Sequence, residues 1–183
     1  MIRRSFLALV CGTAVLTACG FQLRGQQNYA FKRLAIVGAP PIVAARLTRM
    51  IEGGSDTVVV QSPSNADAIL TLGEGRSQRV LTLNLAGAAQ EYELTYSLNY
   101  SLASADGTPL IPSSAIALNR AMTYNTQFAT AKAQEAELLY TDMENDAVDQ
   151  LTRRLATVHS LHPTSGPQTP GIAPRAPLPP PPL

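Results

Sequence analysis

The strongest pattern in the chain lies at residues 91–102. Tyr92, Leu94, Tyr96, Leu98, Tyr100 and Leu102 fill every even position, while Glu91, Glu93, Thr95, Ser97, Asn99 and Ser101 fill every odd one. Successive strand side chains point to opposite faces, so this alternation predicts a long strand with one dry and one wet face. Asp106-Gly107 supplies a turn, and after Pro109 and Pro112 the residues Ile116, Leu118, Met122 and Tyr124 resume the alternation in a return strand. Upstream, Phe31–Val37 alternates around Leu34 and Ile36 and reads as a first strand. Val43, Leu47, Met50 and Ile51 then follow the i, i+4, i+7, i+8 spacing of an amphipathic helix, stopped by Gly53-Gly54. Thr57–Val60 is β-branched throughout and suits a second strand. Ser62-Pro63-Ser64-Asn65 forms the turn after it, and Ala66–Leu72 opens a third strand. Gly73 and Gly75 are expected to bend or bulge that strand before Val80–Leu85.

From Thr126 to Ala156 there is neither Gly nor Pro. Leu139, Met143, Ala147, Val148, Leu151 and Leu155 mark the apolar stripe of a long second helix, and Glu135, Glu137, Asp142, Glu144, Asp146 and Asp149 are assigned to its exposed face. Arg153 and Arg154 complement the negative C-terminal end of the helix dipole. This order of elements predicts an α+β fold, with two helices packed on one face of a mostly antiparallel, about four-stranded sheet.

The two ends of the 183-residue chain have a different character. Arg3 and Arg4 precede an apolar run, Phe6–Leu16, that is long enough for a signal peptide and too short to span a bilayer. Leu16-Thr17-Ala18-Cys19 looks like a bacterial lipobox, in which the cysteine is acylated and becomes the mature N-terminus. With about 0.8 kcal/mol for each buried CH2, the diacylglyceryl and N-acyl chains expected on Cys19, palmitate among them, make attachment effectively permanent. Gly20 rather than Asp follows the cysteine, which by resemblance to Gram-negative lipoproteins favours the periplasm-facing leaflet of the outer membrane. At the other end, residues 159–183 hold nine prolines and little charge, a composition that predicts a disordered tail. The resulting organisation is a signal at 1–18, a lipidated tether at 19–30, a folded domain at 31–158 and a Pro-rich tail at 159–183.

Composition removes several classes of chemistry. Without the signal the chain has 12 basic and 13 acidic residues, too sparse a basic surface for counterion-release binding to nucleic acid. Aromatic residues make up only 5 % and Trp is missing, so platforms for stacking bases or sugars are poorly supplied. Cys19 is the one cysteine left in the mature chain, and the only histidines, His159 and His162, sit where the helix gives way to the tail. No metal site, cofactor beyond the covalent lipid, or nucleophile–histidine centre is expected. The best resource for a hydrolase is the Glu91/Glu93 pair, which reads more simply as a solvated strand face.

Several blocks in order carry a family likeness. Cys19-Gly20-Phe21-Gln22-Leu23-Arg24-Gly25, Gln90-Glu91-Tyr92-Glu93-Leu94, and Ala105-Asp106-Gly107 with Leu110-Ile111-Pro112 come first. Ala131-Lys132, Leu138-Leu139-Tyr140, and Ala147-Val148 with Gln150-Leu151 and Arg154-Leu155 follow. Together they resemble the lipopolysaccharide-assembly lipoproteins of the LptE family, from Cys19 to about Leu155. The resemblance implies a non-enzymatic outer-membrane lipoprotein that plugs the LptD β-barrel, helps it assemble and assists delivery of lipopolysaccharide to the outer leaflet. It also implies lipopolysaccharide contact near Lys132, at the Ala-Lys position where the family offers a basic residue, with Arg120 as a helper. The chain departs from the family at two places: residues 84–89 hold no basic residue, and Arg120 is followed by Ala121-Met122 rather than an acidic-aromatic step. The bland reading makes Lys132 and Arg120 ordinary surface cations bonded to helix carboxylates. The alternative function is a stand-alone envelope lipoprotein that binds lipid or peptidoglycan.

Overall fold

The computed structural model describes residues 27–162. The signal, Cys19, most of the tether and the tail beyond His162 lie outside the described residues. The elements are β1 (Arg33–Val37), α1 (Pro41–Gly54), β2 (Val58–Val60), β3 (Ala68–Leu83), β4 (Ala89–Ser104), β5 (Pro109–Thr123) and α2 (Ala129–Leu155), with short 3-10 turns at Pro63–Asn65 and Thr126–Phe128.

The sheet has five strands in the order β2-β1-β3-β4-β5 and is mixed, which corrects the expected four-stranded, mostly antiparallel arrangement. β1 runs parallel to both β2 and β3, and only β3-β4-β5 form an antiparallel meander. The cause is α1. A helix inserted between β1 and β2 returns the chain to its starting edge, so the next strand must run parallel. Asp67 fixes the start of β3 against β1: its Oδ2 accepts from the amides of Lys32 and Arg33, and its Oδ1 takes the Arg33 guanidinium at 2.6 Å. These bonds hold the Asp67 carboxyl below its ordinary value.

Both helices cover one face of the sheet. The even positions of β4, Leu94 to Leu102, are buried together with Leu34, Leu70, Val43, Leu47 and Ile51. Met143, Ala147, Val148, Leu151 and Leu155 close the core from α2. A buried Leu, Ile or Met contributes roughly 1.5–3 kcal/mol, so this layer dominates stability. Gly38, at φ +78°, ends β1 where a Cβ would lie 2.5 Å from the Leu72 carbonyl oxygen, so glycine is required there both by backbone and by space.

Three further expectations change. β3 is one continuous strand, paired with β4 without interruption from Ala68 to Val80, and its irregularities fall later, between Val80 and Leu83. Gly73 and Gly75 do not bend it. At Gly75 a Cβ would lie 2.6 Å from Ser97 Oγ, so glycine makes room for the partner strand. Glu144, assigned to the exposed face of the helix, is buried. Residues 159–162, assigned to the tail, include Leu161, which packs against the core beside buried Val158.

Candidate functional site

Beyond Gly75 the meander continues past the main core, and the first half of α2 lies over it. Here the helix turns small residues, Ala129, Ala133 and Ala136, toward Tyr92 and Met122 of the sheet and Tyr124 just after β5. A cleft of about 220 Å3 remains between them. Tyr92 and Tyr124 meet edge to face with their ring centres 5.0 Å apart. Lys132 lines the same cleft; its Nζ donates to Thr123 Oγ1 at 3.1 Å and to Glu135 Oε2 at 2.8 Å. The first turn of α2 has no acidic residue, so the Glu135 bond answers a cation that the helix dipole disfavours. The cleft is of mixed character, with Gln78 and Lys132 beside the two tyrosine rings, Met122 and the alanines.

Arg120 sits elsewhere. Its guanidinium donates to Asp146 Oδ2 at 3.0 Å and to the Asn119 carbonyl at 3.0 Å. Lys132 and Asp146 are 14 residues apart on one helix, about 21 Å at 1.5 Å per residue. The structure therefore does not bring Lys132 and Arg120 into one site, and it gives each of them a carboxylate of its own.

A third cluster joins β3 to α2. Arg76 of β3 bonds Glu74 at 2.6 Å and Glu137 at 3.2 Å, pairs with buried Glu144, and lies 5.2 Å from the centre of the Tyr140 ring. Tyr140 Oη donates to the Ser77 carbonyl at 2.8 Å. Burial pushes the Glu144 carboxyl up from its ordinary value, and Arg76 opposes that shift. Tyr96 Oη is buried beside this group with no hydrogen-bond partner, and burial raises its phenol. One signal for Glu144 was present: Tyr140, Glu144, Ala147 and Leu151 fall on one helical stripe. Only Glu74, two residues away, is a local partner of Arg76; its helix partners Glu137 and Glu144 are 61 and 68 residues away, beyond any local pattern.

The family model for LptE, described as lipopolysaccharide-assembly, matches residues 22–155. The chain belongs to the LptE family. It is similar to the LPS-assembly lipoprotein LptE of Yersinia enterocolitica, 31% identical over 173 residues, covering 87% of this chain and 79% of that protein. The LPS-assembly lipoprotein LptE of Photorhabdus laumondii is 27% identical over 165 residues, covering 87% and 90%. Among solved structures, lipoprotein B from Nitrosomonas europaea superposes with a TM-score of 0.63 at 33% identity, over 75% of this chain and 90% of that one. The rare lipoprotein B from Shewanella oneidensis gives 0.55 at 22% identity, covering 68% and 93%, a likeness of fold.

LptE membership supports a role in lipopolysaccharide assembly, and the relatives are lipoproteins. Among the described residues no helix is long and apolar enough to cross a membrane. The cleft beside Lys132 lies inside the span that matches the LptE model, as do Arg120 and the Arg76 cluster.

Proposed function

We propose that this chain is a lipid-anchored, non-enzymatic LptE-type lipoprotein of the outer membrane, held through acyl chains on Cys19 in the periplasm-facing leaflet. It plugs an LptD-type β-barrel, helps that barrel assemble and assists lipopolysaccharide delivery. The match to the LptE model over residues 22–155 carries this reading. The shape is compatible. Strands of 16 residues extend about 53 Å at roughly 3.3 Å per residue, and the sheet surface away from the helices carries Thr95, Ser97, Asn99 and Ser101, a polar face suited to a polar barrel lumen. Lys132 and its cleft supply the lipopolysaccharide contact, the cation meeting phosphate and the aromatic wall meeting the lipid.

Co-purification from detergent-solubilised outer membrane tests the barrel role. The expected result is a stable one-to-one complex with a large β-barrel. A monomer that binds wall fragments unaided would instead establish the stand-alone reading.

A further inference from the structure

The two halves of α2 are buried to different depths. From residue 140 to its end the helix sinks Met143, Val148, Leu151 and Leu155 into the core. Across residues 129–139 no side chain is buried, and Ala136 and Leu139 are only partly covered. The cleft of about 220 Å3 lies beneath this stretch in place of interlocking side chains. Its start is weakly made: Phe128 provides no side-chain cap, the first turn holds no acidic residue, and Lys132 brings a cation to the positive end of the dipole. A helical stretch this short is marginal in water by itself, so it stands only because the sheet and the rest of α2 hold it.

The ties between this stretch and the sheet are few. Among the described residues, two side-chain bonds join residues 129–139 to the strands: Lys132 Nζ donates to Thr123 Oγ1 at 3.1 Å, and Arg76 Nη1 of β3 donates to Glu137 Oε2 at 3.2 Å. The Glu137 side chain is 73% exposed, and an ion pair so open to water contributes little. One turn further on the attachment changes. Tyr140 Oη donates to the Ser77 carbonyl at 2.8 Å, the Tyr140 ring centre lies 5.2 Å from the Arg76 guanidinium, and buried Glu144 pairs with the same arginine. Weak contacts before residue 140 and firm ones after it place a boundary inside a single unbroken helix.

We infer that residues 129–139 form a strap that opens from the sheet as one unit while residues 140–155 stay packed, with the Arg76–Glu137 pair as its clasp. A segment with few buried contacts opens at lower free energy than the whole domain. Opening uncovers Gln78, Tyr92 and Met122 on the helix side of the meander, which the closed strap shields, and the Tyr140 bond to Ser77 stops it from spreading. Neither a barrel partner nor a ligand at Lys132 is needed for this motion.

Amide hydrogen exchange of the full chain in detergent, resolved to single residues, tests the strap. The amides of residues 133–139 should exchange together, about 100-fold faster than those of residues 147–151, with a step near Tyr140. Glu137→Gln, at an exposed site, removes the charge of the clasp; it should speed exchange of residues 133–139 about threefold and leave residues 147–151 unchanged. Thr130→Glu, also at an exposed site, places the missing acid in the first turn and should slow the same amides about threefold. Equal protection along the whole of α2 overturns the inference, because the helix then opens only with the domain. So does a smooth rise in rate toward residue 129, which is ordinary fraying from the end. Acceleration by Glu137→Gln in both stretches, or in neither, also overturns it, since the pair is then no clasp.

Discussion

Asp106 shows how one side chain closes a turn. Its Oδ1 accepts from Ser104 Oγ and from the Thr108 amide, and Gly107 beside it adopts φ +87°. These bonds, that from Ser104 foremost, hold the carboxyl down to about 2, against an ordinary value of 3.8. A carboxyl whose folded value is depressed contributes stability above its ordinary value and loses it as pH falls through the folded one. The stability advantage of the unmodified protein over Asp106→Asn should therefore shrink between about pH 4 and pH 2, measured as the difference in Tm. Lys132 belongs to the same scale. Lys132→Glu places a carboxylate beside Glu135 and should weaken binding of purified protein to lipopolysaccharide while circular dichroism stays unchanged. If affinity and its salt dependence match those of the unmodified protein, Lys132 serves only to neutralise Glu135.

At the scale of elements, α2 is held to the sheet in two different ways. Its second half buries Met143, Val148, Leu151 and Leu155, whereas its first half turns alanines toward a cleft and relies on Arg76, Tyr140 and Lys132 for attachment. Arg76→Leu leaves buried Glu144 without its cation, an unsatisfied group costing about 1–3 kcal/mol. A Tm lower by several degrees is expected, with part of the loss recovered in the double variant Arg76→Leu/Glu144→Leu. The pH dependence has a definite sign. Glu144 binds its proton more tightly when folded, so its contribution is present below its ordinary value and lost as pH rises through the raised one. The Arg76→Leu defect should consequently be larger at pH 8 than at pH 4. An unchanged Tm at both would reduce the cluster to a solvated contact.

At the scale of the whole molecule, the last described residues contribute to the core. Truncation after Ala156 removes Val158 and Leu161 and should cost about 2–4 kcal/mol from lost apolar burial. Truncation after His162 keeps both residues and should leave Tm unchanged. Denaturant unfolding of the two truncated chains compares them directly, and equal stability would show that the domain ends at the helix.

Much of the architecture was legible because its signals are local. The alternation from Tyr92 to Leu102, the Val43-Leu47-Ile51 spacing of α1, the stop at Gly53-Gly54 and the Asp106-Gly107 turn each follow from periodicity or backbone preference within a dozen residues. The family likeness was likewise readable from short blocks of neighbouring residues. Tertiary structure alone decided what depends on distant partners. The β-branched run at Val58–Val60 does not reveal that β2 lies parallel to β1, since a strand's direction is set by the helix that carries the chain back. Gly75 looked like a bend until Ser97 appeared across from it, because a glycine's role depends on what approaches its missing Cβ. Glu144 looked solvated until Arg76, 68 residues upstream, provided the charge that lets a carboxylate remain buried. Periodicity assigns a side chain to a face, and only the packed neighbours determine whether that face is wet.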